Sequence, residues 1–190
     1  MPRLFAAIQI PEPIALTLDR IRQPTPGAWW IPPADMHLTL RFVGDIGMGQ
    51  AREFTNEFAR IDLKAFTLKL AGLGSFGGTE PRVLWAGVEP SEPLEALARA
   101  CDRAARNAGI APDGRAWKPH VTVARLRHTP LDAVVRILQR KATFNTEPFF
   151  VARFALMSAK PTVGGGPYVC EDEFMLAGGQ YATYADDNNY

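Results

Sequence analysis

The sequence has few of the residues on which many functional sites depend. It contains three histidines and two cysteines in 190 residues, too few cysteines for a disulfide framework, and neither is spaced for a metal site. The formal net charge of +1 argues against a protein that coats nucleic acid through bulk electrostatics, although a local basic cleft stays open. No apolar run approaches the ~20 residues of a membrane span, and no secretory signal pattern is visible. We therefore expect a cytoplasmic location, reduced thiols and no membrane partner.

Two of the three histidines lie in the same four-residue pattern, H-φ-T-φ, where φ is aliphatic. Residues 37–40 read HLTL, and residues 120–123 read HVTV. This alternation is typical of a half-buried strand, on which a histidine and the threonine two positions later share one face. The sequence thus predicts the same small polar arrangement twice, once in each half of the chain.

Hydrophobic periodicity in the rest of the chain predicts an α+β fold. Helices are predicted over residues 13–22, 50–61, 91–107 and 131–139. Strands are predicted over residues 4–10, 37–43, 66–73, 82–88, 149–157 and 168–176, and at residues 120–123. Because each half contains a His-Thr strand after a Trp/Pro segment, we expect one bilobal domain over residues 1–177. Its two similar lobes would carry antiparallel sheets and flanking helices around a central cleft. Residues 178–190 are polar, and we expect them to be a flexible tail.

Two histidines that face each other across a cleft suit general acid–base catalysis. Their ordinary pKa near ~6.5 allows one imidazole to accept a proton while the other donates one. The hydroxyls of Thr39 and Thr122 could bind an anion between them, and a phosphoryl group fits that geometry. This chemistry needs no metal and no cofactor. Two alternatives are a purely structural role for these histidines and a metal site completed by Asp35. The third histidine, His128, is expected in an exposed turn.

The neighbouring cations would bear on phosphate binding if they faced the cleft. On an unbroken strand, Arg41 shares the face of His37, whereas Arg125 has the wrong parity relative to His120 unless the strand bulges. Lys118 has the right parity, although Pro119 intervenes. The tryptophans at positions 29, 30 and 117 precede the two strands, and we expect them to pack in the core, with base stacking as the alternative.

These residues resemble the two-histidine phosphoesterase superfamily, which is defined by paired H-x-T-x motifs, and within it the RNA 2',3'-cyclic phosphodiesterases, also called bacterial 2'-5' RNA ligases. The resemblance covers about residues 3–176. It extends to LFAAI at residues 4–8, WIP at 30–32, RVLWAGV at 82–88, KPHVTVAR at 118–125, FALMS at 154–158 and GPY at 166–168.

The resemblance implies hydrolysis of a 2',3'-cyclic phosphate RNA end to a 2'-phosphomonoester, with reversible 2'-5' joining of tRNA halves as a side activity. It implies His120 as the general base, His37 as the general acid, and Thr39, Thr122 and Arg125 as phosphate ligands. Further candidates for substrate contact are Arg41, Phe42, Lys118 and Tyr168. The resemblance implies no metal, no cofactor and no obligate protein partner.

Two other functions are compatible with the same motifs. The cleft could bind RNA ends or phosphorylated nucleotides without reaction. It could also act on a small cyclic phosphate, such as that of ADP-ribose, rather than on RNA. The two motifs are nearly equivalent, so the residues alone do not assign the acid and the base.

Overall fold

The arrangement of helices and strands confirms the predicted α+β class. We describe the protein from a computed structural model, in which residues 3–114, 116–159 and 168–181 are described. Within them the four helices are α1 (Glu12–Asp19), α2 (Met48–Ala59), α3 (Glu92–Asn107) and α4 (Leu131–Arg140). The ten strands are β1 (Arg3–Gln9), β2 (Ala28–Trp30), β3 (His37–Asp45), β4 (Phe66–Leu68), β5 (Leu70–Phe76), β6 (Val83–Val88), β7 (His120–Leu126), β8 (Phe149–Val151), β9 (Arg153–Ala159) and β10 (Tyr168–Met175).

Three details of the strand pattern differ from the prediction. The strand expected over residues 66–73 is two strands, β4 and β5, and the strand expected over 149–157 is also two, β8 and β9. In both places the chain leaves a separate β4–β8 pair and enters the main sheet, so the break follows from a change of partner. The short strand β2 was not predicted, because three residues give too little periodicity to detect.

The main sheet joins the two halves of the protein. The described strands follow the order β10-β9-β1-β3-β7-β6-β5, all pairings are antiparallel, and β2 pairs with the second half of β7. The two His-Thr strands, β3 and β7, meet at the centre through one register pair, Leu38 with Val121. The two motifs therefore lie side by side where the two halves of this sheet meet. The lobes were expected to follow the two halves of the chain, but each half of the sheet takes strands from both: β9 and β10 join β1 and β3, and β5 and β6 join β7.

All four helices pack against the same face of this sheet. Their buried residues, among them Leu18, Phe54, Leu97 and Val134, belong to one continuous hydrophobic core. Each side chain of this kind contributes about 1.5–3 kcal/mol through burial. Helix α3 also begins at an N-cap, since the Ser91 hydroxyl accepts a hydrogen bond from the Leu94 N–H at 3.3 Å. The opposite face of the sheet is left for the two motifs.

The end of the described chain is attached to the fold. The Ala177 N–H donates to the Leu63 carbonyl, the Ala65 N–H donates to the Ala177 carbonyl, and a 3-10 turn spans Gly179–Tyr181. Residues 182–190, most of the predicted tail, and the glycine run at 164–166 lie outside the described residues. Among the helices that the structure describes, none is long and apolar enough to cross a membrane.

Candidate active site

The two His-Thr motifs place their polar side chains on the same face of the sheet. Leu38 and Val121, the register pair, are both fully buried in the core beneath the helices. Residues one position away on a strand point to the other face. His37 and Thr39 on β3, and His120 and Thr122 on β7, are therefore directed away from the helices and lie beside one another. We call this surface, defined by these four residues, the cleft face.

Both imidazoles are held in the same way by the backbone. The Nδ1 of His37 lies 2.8 Å from the carbonyl oxygen of Asp35, and the Nδ1 of His120 lies 2.7 Å from the carbonyl oxygen of Lys118. A carbonyl oxygen only accepts, so each Nδ1 carries the hydrogen and donates it. The neutral ring then carries its lone pair on Nε2, where it can accept a proton. The protonated ring can donate a proton from the same atom. The sequence repeat is thus also a repeat of tautomer and orientation.

Aromatic residues fix the His37 ring on the first half of the sheet. The centroid of the Phe5 ring lies 4.9 Å from that of His37, and the Tyr168 ring makes a T-shaped contact with it at a centroid distance of 4.7 Å. Phe5 belongs to a small apolar cluster with Ala7, Ala155 and Met157, separate from the helix-covered core. This cluster forms the floor under His37.

A different aromatic pair supports His120 on the second half. Phe76 meets the His120 ring edge-on at 5.0 Å, and Trp85 lies 6.2 Å away. The Trp85 ring covers Gly74, its register partner on β5, so closely that a Cβ there would lie 2.3 Å from a ring atom. The Lys118 ammonium lies 4.3 Å from the Trp85 centroid, a cation–π contact at the edge of the site.

Burial lowers the pKa of both imidazoles. For His37, loss of water around the ring is the largest cause, and the positive charges of Arg125 and His120 act in the same direction against the Asp35 carbonyl and carboxylate. For His120, burial again dominates, the Lys118 ammonium adds to it, and the Lys118 carbonyl opposes it. Both rings therefore favour the neutral form at neutral pH in the free protein. A bound anion would raise the pKa of an imidazole beside it, so that ring would gain a proton more readily.

Matched β-bulges change the phase of both strands just after the motifs. On β3, Thr39 pairs with Ala7 and Arg41 with Ala6, so Leu40 is an extra residue. On β7, Thr122 pairs with Trp85 and Ala124 with Leu84, so Val123 is extra. Two consecutive residues of each strand are buried at these positions. A side chain five positions after each histidine therefore returns to the cleft face.

The prediction that Arg41 shares the face of His37 is wrong, because the bulge turns it into the core. Arg41 is 6% exposed, and its Nε lies 3.0 Å from a carboxylate oxygen of Asp102 on α3. Its Nη atoms donate to the carbonyl oxygens of Phe42 and Ala111, and Nη1 lies 3.9 Å from Asp113. Arg41 thus connects β3 to the segment that precedes Trp117 and His120. It is placed for a structural role and not for contact with substrate.

Arg125 lies on the cleft face, which the sequence allowed only if its strand contained a bulge. Its Nη2 donates to the Tyr168 hydroxyl at 3.3 Å, and its charge acts on His37 of the other half. Phe42, at the same offset from the first histidine, is the register partner of Phe5 and also lies on the cleft face. The two halves are therefore matched in backbone but differ in this residue, a cation in one and a ring in the other.

The remaining candidates occupy several environments. Trp30 packs against the core, and the Trp117 Nε1–H donates to the Thr39 carbonyl at 3.0 Å, while Trp29 is exposed. His128 is an exposed turn residue with φ of 53°. In the part of the chain that the structure describes, no group of three or more His, Cys, Asp or Glu residues could hold a metal ion. Cys101 is buried and Cys170 is exposed, and both are free thiols.

Comparison with known proteins identifies relatives over most of the chain. The sequence profile of the 2'-5' RNA ligase superfamily matches residues 10–161. The chain is 34% identical to the RNA 2',3'-cyclic phosphodiesterase of Aquifex aeolicus over 154 residues, 78% of this chain and 82% of that protein. It is 32% identical to the protein of the same name from Methanothermobacter thermautotrophicus over 183 residues, 92% of this chain and 98% of that protein.

Solved structures share the fold. A protein from Thermus thermophilus superposes with a TM-score of 0.75 at 26% identity, covering 91% of this chain and 97% of that one. E. coli LigT complexed with 3'-AMP gives a TM-score of 0.73 at 24% identity, covering 93% and 99% of the two chains. The second likeness bears on the fold alone.

Proposed function

The chain belongs to the 2'-5' RNA ligase superfamily, as its paired motifs predicted, and on this basis we propose that it hydrolyses 2',3'-cyclic phosphate ends of RNA. The observation that carries the proposal is the matched orientation of His37 and His120. Each Nδ1 is tied to a backbone carbonyl, so each Nε2 is left to exchange protons on a shared face. A phosphodiester bound between them has an acid on one side and a base on the other.

The proposed reaction is an in-line displacement by water. His120 Nε2 takes a proton from the attacking water as the new P–O bond forms. The P–O3' bond breaks, and His37 gives its Nε2 proton to the departing 3'-oxygen, which leaves a 2'-phosphomonoester and a 3'-hydroxyl. This assignment follows the family resemblance, and the less buried position of His120 suits activation of water.

The remaining polar groups of the cleft face would hold the phosphate. The hydroxyls of Thr39 and Thr122 can donate to its non-bridging oxygens, and the Arg125 guanidinium supplies a positive charge beside them. The negative charge of the phosphate offsets the burial that lowers the pKa of His37. The substrate would thus help to protonate its own general acid. This scheme requires neither a metal nor a cofactor.

Joining of RNA is the related reaction that the same geometry supports. If the 5'-hydroxyl of a second RNA replaces water, its attack with loss of the 3'-oxygen gives a 2'-5' phosphodiester. No nucleotide cofactor is consumed, because one phosphoester bond forms as another breaks. We propose it as a side activity, for which the halves of a cleaved tRNA are one class of substrate.

Product analysis in the presence of EDTA tests the proposed hydrolysis. An oligonucleotide ending in a 2',3'-cyclic phosphate should be converted to the 2'-phosphate, and a 3'-phosphate product would contradict the assigned leaving group. Binding of 2'-phosphate ends without turnover would favour a non-catalytic protein. Much faster turnover of a small cyclic phosphate, such as that of ADP-ribose, would favour the small-nucleotide alternative.

An activated substrate separates the roles of the two histidines. An aryl phosphodiester has a leaving group that departs without protonation, so its hydrolysis needs the base but hardly needs the acid. We expect His37→Ala to lose far less activity on this substrate than on the cyclic phosphate, whereas His120→Ala should lose activity on both. The opposite pattern would exchange the two roles.

A further inference from the structure

Trp29 is an aromatic side chain left open to solvent beside the phosphate site. It is 64% exposed, more than any other tryptophan or phenylalanine that the structure describes. Its neighbours on β2, Ala28 and Trp30, pack against the core, so the indole lies on the opposite face. A single exposed apolar side chain is common on a protein surface, so the case for a binding role depends on what this one lies beside.

The pairing of β2 with β7 determines what Trp29 lies beside. Trp29 is the register partner of Arg125. Partners in an antiparallel pair point to the same face, with Cβ atoms about 5 Å apart. Trp29 therefore stands on the cleft face next to the cation that also contacts Tyr168 and acts on His37.

The other tryptophans have structural functions that Trp29 lacks. Trp30 packs against the core, Trp117 donates its N–H to the Thr39 carbonyl, and Trp85 packs beside His120 over Gly74. Among the described residues, no hydrogen bond or ring contact involves the indole of Trp29. Its flat surface is available to a ligand.

We propose that Trp29 stacks on a nucleobase of the RNA end whose phosphate is held between the two histidines. The proposal rests on the function proposed above and adds a subsite to it. A base is attached through its ribose to the phosphate, so it must lie a few ångströms from the Arg125 guanidinium, within reach of the adjacent strand. Single-stranded RNA is gripped in this way, by a cation on the phosphate and a ring on the base.

The stacking would give affinity without base identity, since every nucleobase has a π face. It would also favour nucleotides over cyclic phosphates that carry no base. The stacked base belongs either to the cyclic nucleotide itself or to the nucleotide before it, and substrate length distinguishes the two.

Steady-state kinetics of Trp29→Ala and Trp29→Phe test the subsite. We expect Trp29→Ala to raise KM for a cyclic-phosphate oligonucleotide about 10- to 100-fold with little change in kcat, and Trp29→Phe to retain most of the affinity. An abasic nucleotide at the stacked position should abolish the difference between Trp29→Ala and the unsubstituted protein. If a cyclic mononucleotide shows the same KM effect, the stacked base is the terminal one. If the effect needs a dinucleotide, it is the preceding one.

The control variant, and the result that would contradict the Trp29 subsite, differ from those that test the proposed function. Phe150→Ala removes another exposed aromatic, from β8 of the separate two-stranded sheet, and should leave KM unchanged. An unchanged KM in Trp29→Ala on every substrate would overturn the subsite while leaving hydrolysis intact.

If the protein did not hydrolyse cyclic phosphates at all, quenching of tryptophan fluorescence would still test the subsite. A 2'-phosphate oligonucleotide should quench the intact protein more strongly than Trp29→Phe, in which Trp85 and Trp117 remain near the site, and inorganic phosphate should show no such difference; equal quenching by the oligonucleotide in both proteins would overturn the subsite.

Discussion

Arg125 donates a hydrogen bond to the hydroxyl of Tyr168 from the other half of the sheet, over a distance of 3.3 Å. The Tyr168 ring in turn makes a T-shaped contact with the His37 ring, with 4.7 Å between the ring centroids. A cation from one half of the sheet thus reaches the histidine of the other half through one aromatic side chain. The proposed phosphate site is therefore shared by both halves of the sheet, and neither half carries all of its groups.

Substitution of Tyr168 separates its hydroxyl from its ring. Tyr168→Phe removes only the acceptor for Arg125, so we expect KM to rise about 3- to 10-fold with little loss of kcat. Tyr168→Ala also removes the ring that orients His37, and kcat should then fall about 10-fold or more. Steady-state kinetics on a cyclic-phosphate oligonucleotide measure both effects. Equal activity of Tyr168→Ala and the unsubstituted protein would remove Tyr168 from the site.

The pH profile should reflect the lowered pKa values of both histidines. The proposed mechanism needs one neutral and one protonated imidazole, and burial brings both pKa values below about 6.5 in the free protein. The profile of kcat/KM should therefore be bell-shaped, with a maximum below pH ~6.5 and a decline above it. Because the bound phosphate favours the imidazolium, the alkaline limb of kcat should lie at higher pH. A kcat/KM that keeps rising above pH ~7.5 would contradict this account.

Replacement of Arg41 should cost stability and leave substrate affinity unchanged. Arg41→Met keeps the apolar stem but loses the Asp102 ion pair and two hydrogen bonds to carbonyls. We expect the free energy of unfolding to fall by about 2–4 kcal/mol, measured by denaturant unfolding, with KM of the folded fraction retained. Arg3→Met is the matched control on β1, since its pair with Asp45 is exposed and should change stability by less than about 1 kcal/mol. A large rise in KM with normal stability would restore Arg41 to the substrate site.

A methyl group at Gly74 should disturb the second histidine through Trp85. The added Cβ would lie 2.3–2.8 Å from three atoms of the Trp85 ring, so the ring must move. We expect Gly74→Ala to lower the free energy of unfolding by about 1–3 kcal/mol and to reduce kcat as His120 loses its support. Gly49→Ala, in helix α2 with open space around it, should be neutral or slightly stabilising. Unchanged thermal unfolding and kcat in Gly74→Ala would show that Trp85 does not depend on this close contact.

The sequence predicted the four helices and the two motif strands because their periodicity is set by residues a few positions apart. It did not predict where β4 ends and β5 begins, since residues 66–70 keep a strand alternation throughout and only the pairing partner changes. That information lies in tertiary contacts. Trp29 was expected in the core, and its exposure depends on the unpredicted strand β2.

The sheet faces of Arg41 and Arg125 also depend on strand pairing that the sequence does not reveal. Strict alternation assigned Arg41 to the cleft and excluded Arg125, and the two bulges reverse both placements. One signal was present in the second strand, where Val123 and Ala124 are consecutive apolar residues and break the alternation. In the first strand the equivalent position is Arg41, whose charge concealed its inward position. The ion pair with Asp102 on α3 and the hydrogen bonds to the Phe42 and Ala111 carbonyls stabilise that charge in the core.

The central claim, that His37 and His120 act as one acid–base pair, is tested most directly by turnover of a cyclic-phosphate oligonucleotide with each histidine replaced. His128→Asn is the control, because it removes the third histidine and asparagine tolerates the φ of 53° at that turn. With EDTA present, we expect His37→Ala and His120→Ala each to reduce kcat by about 10²- to 10⁴-fold, and His128→Asn to leave it unchanged. Turnover at the unsubstituted rate in either His37→Ala or His120→Ala would contradict the claim.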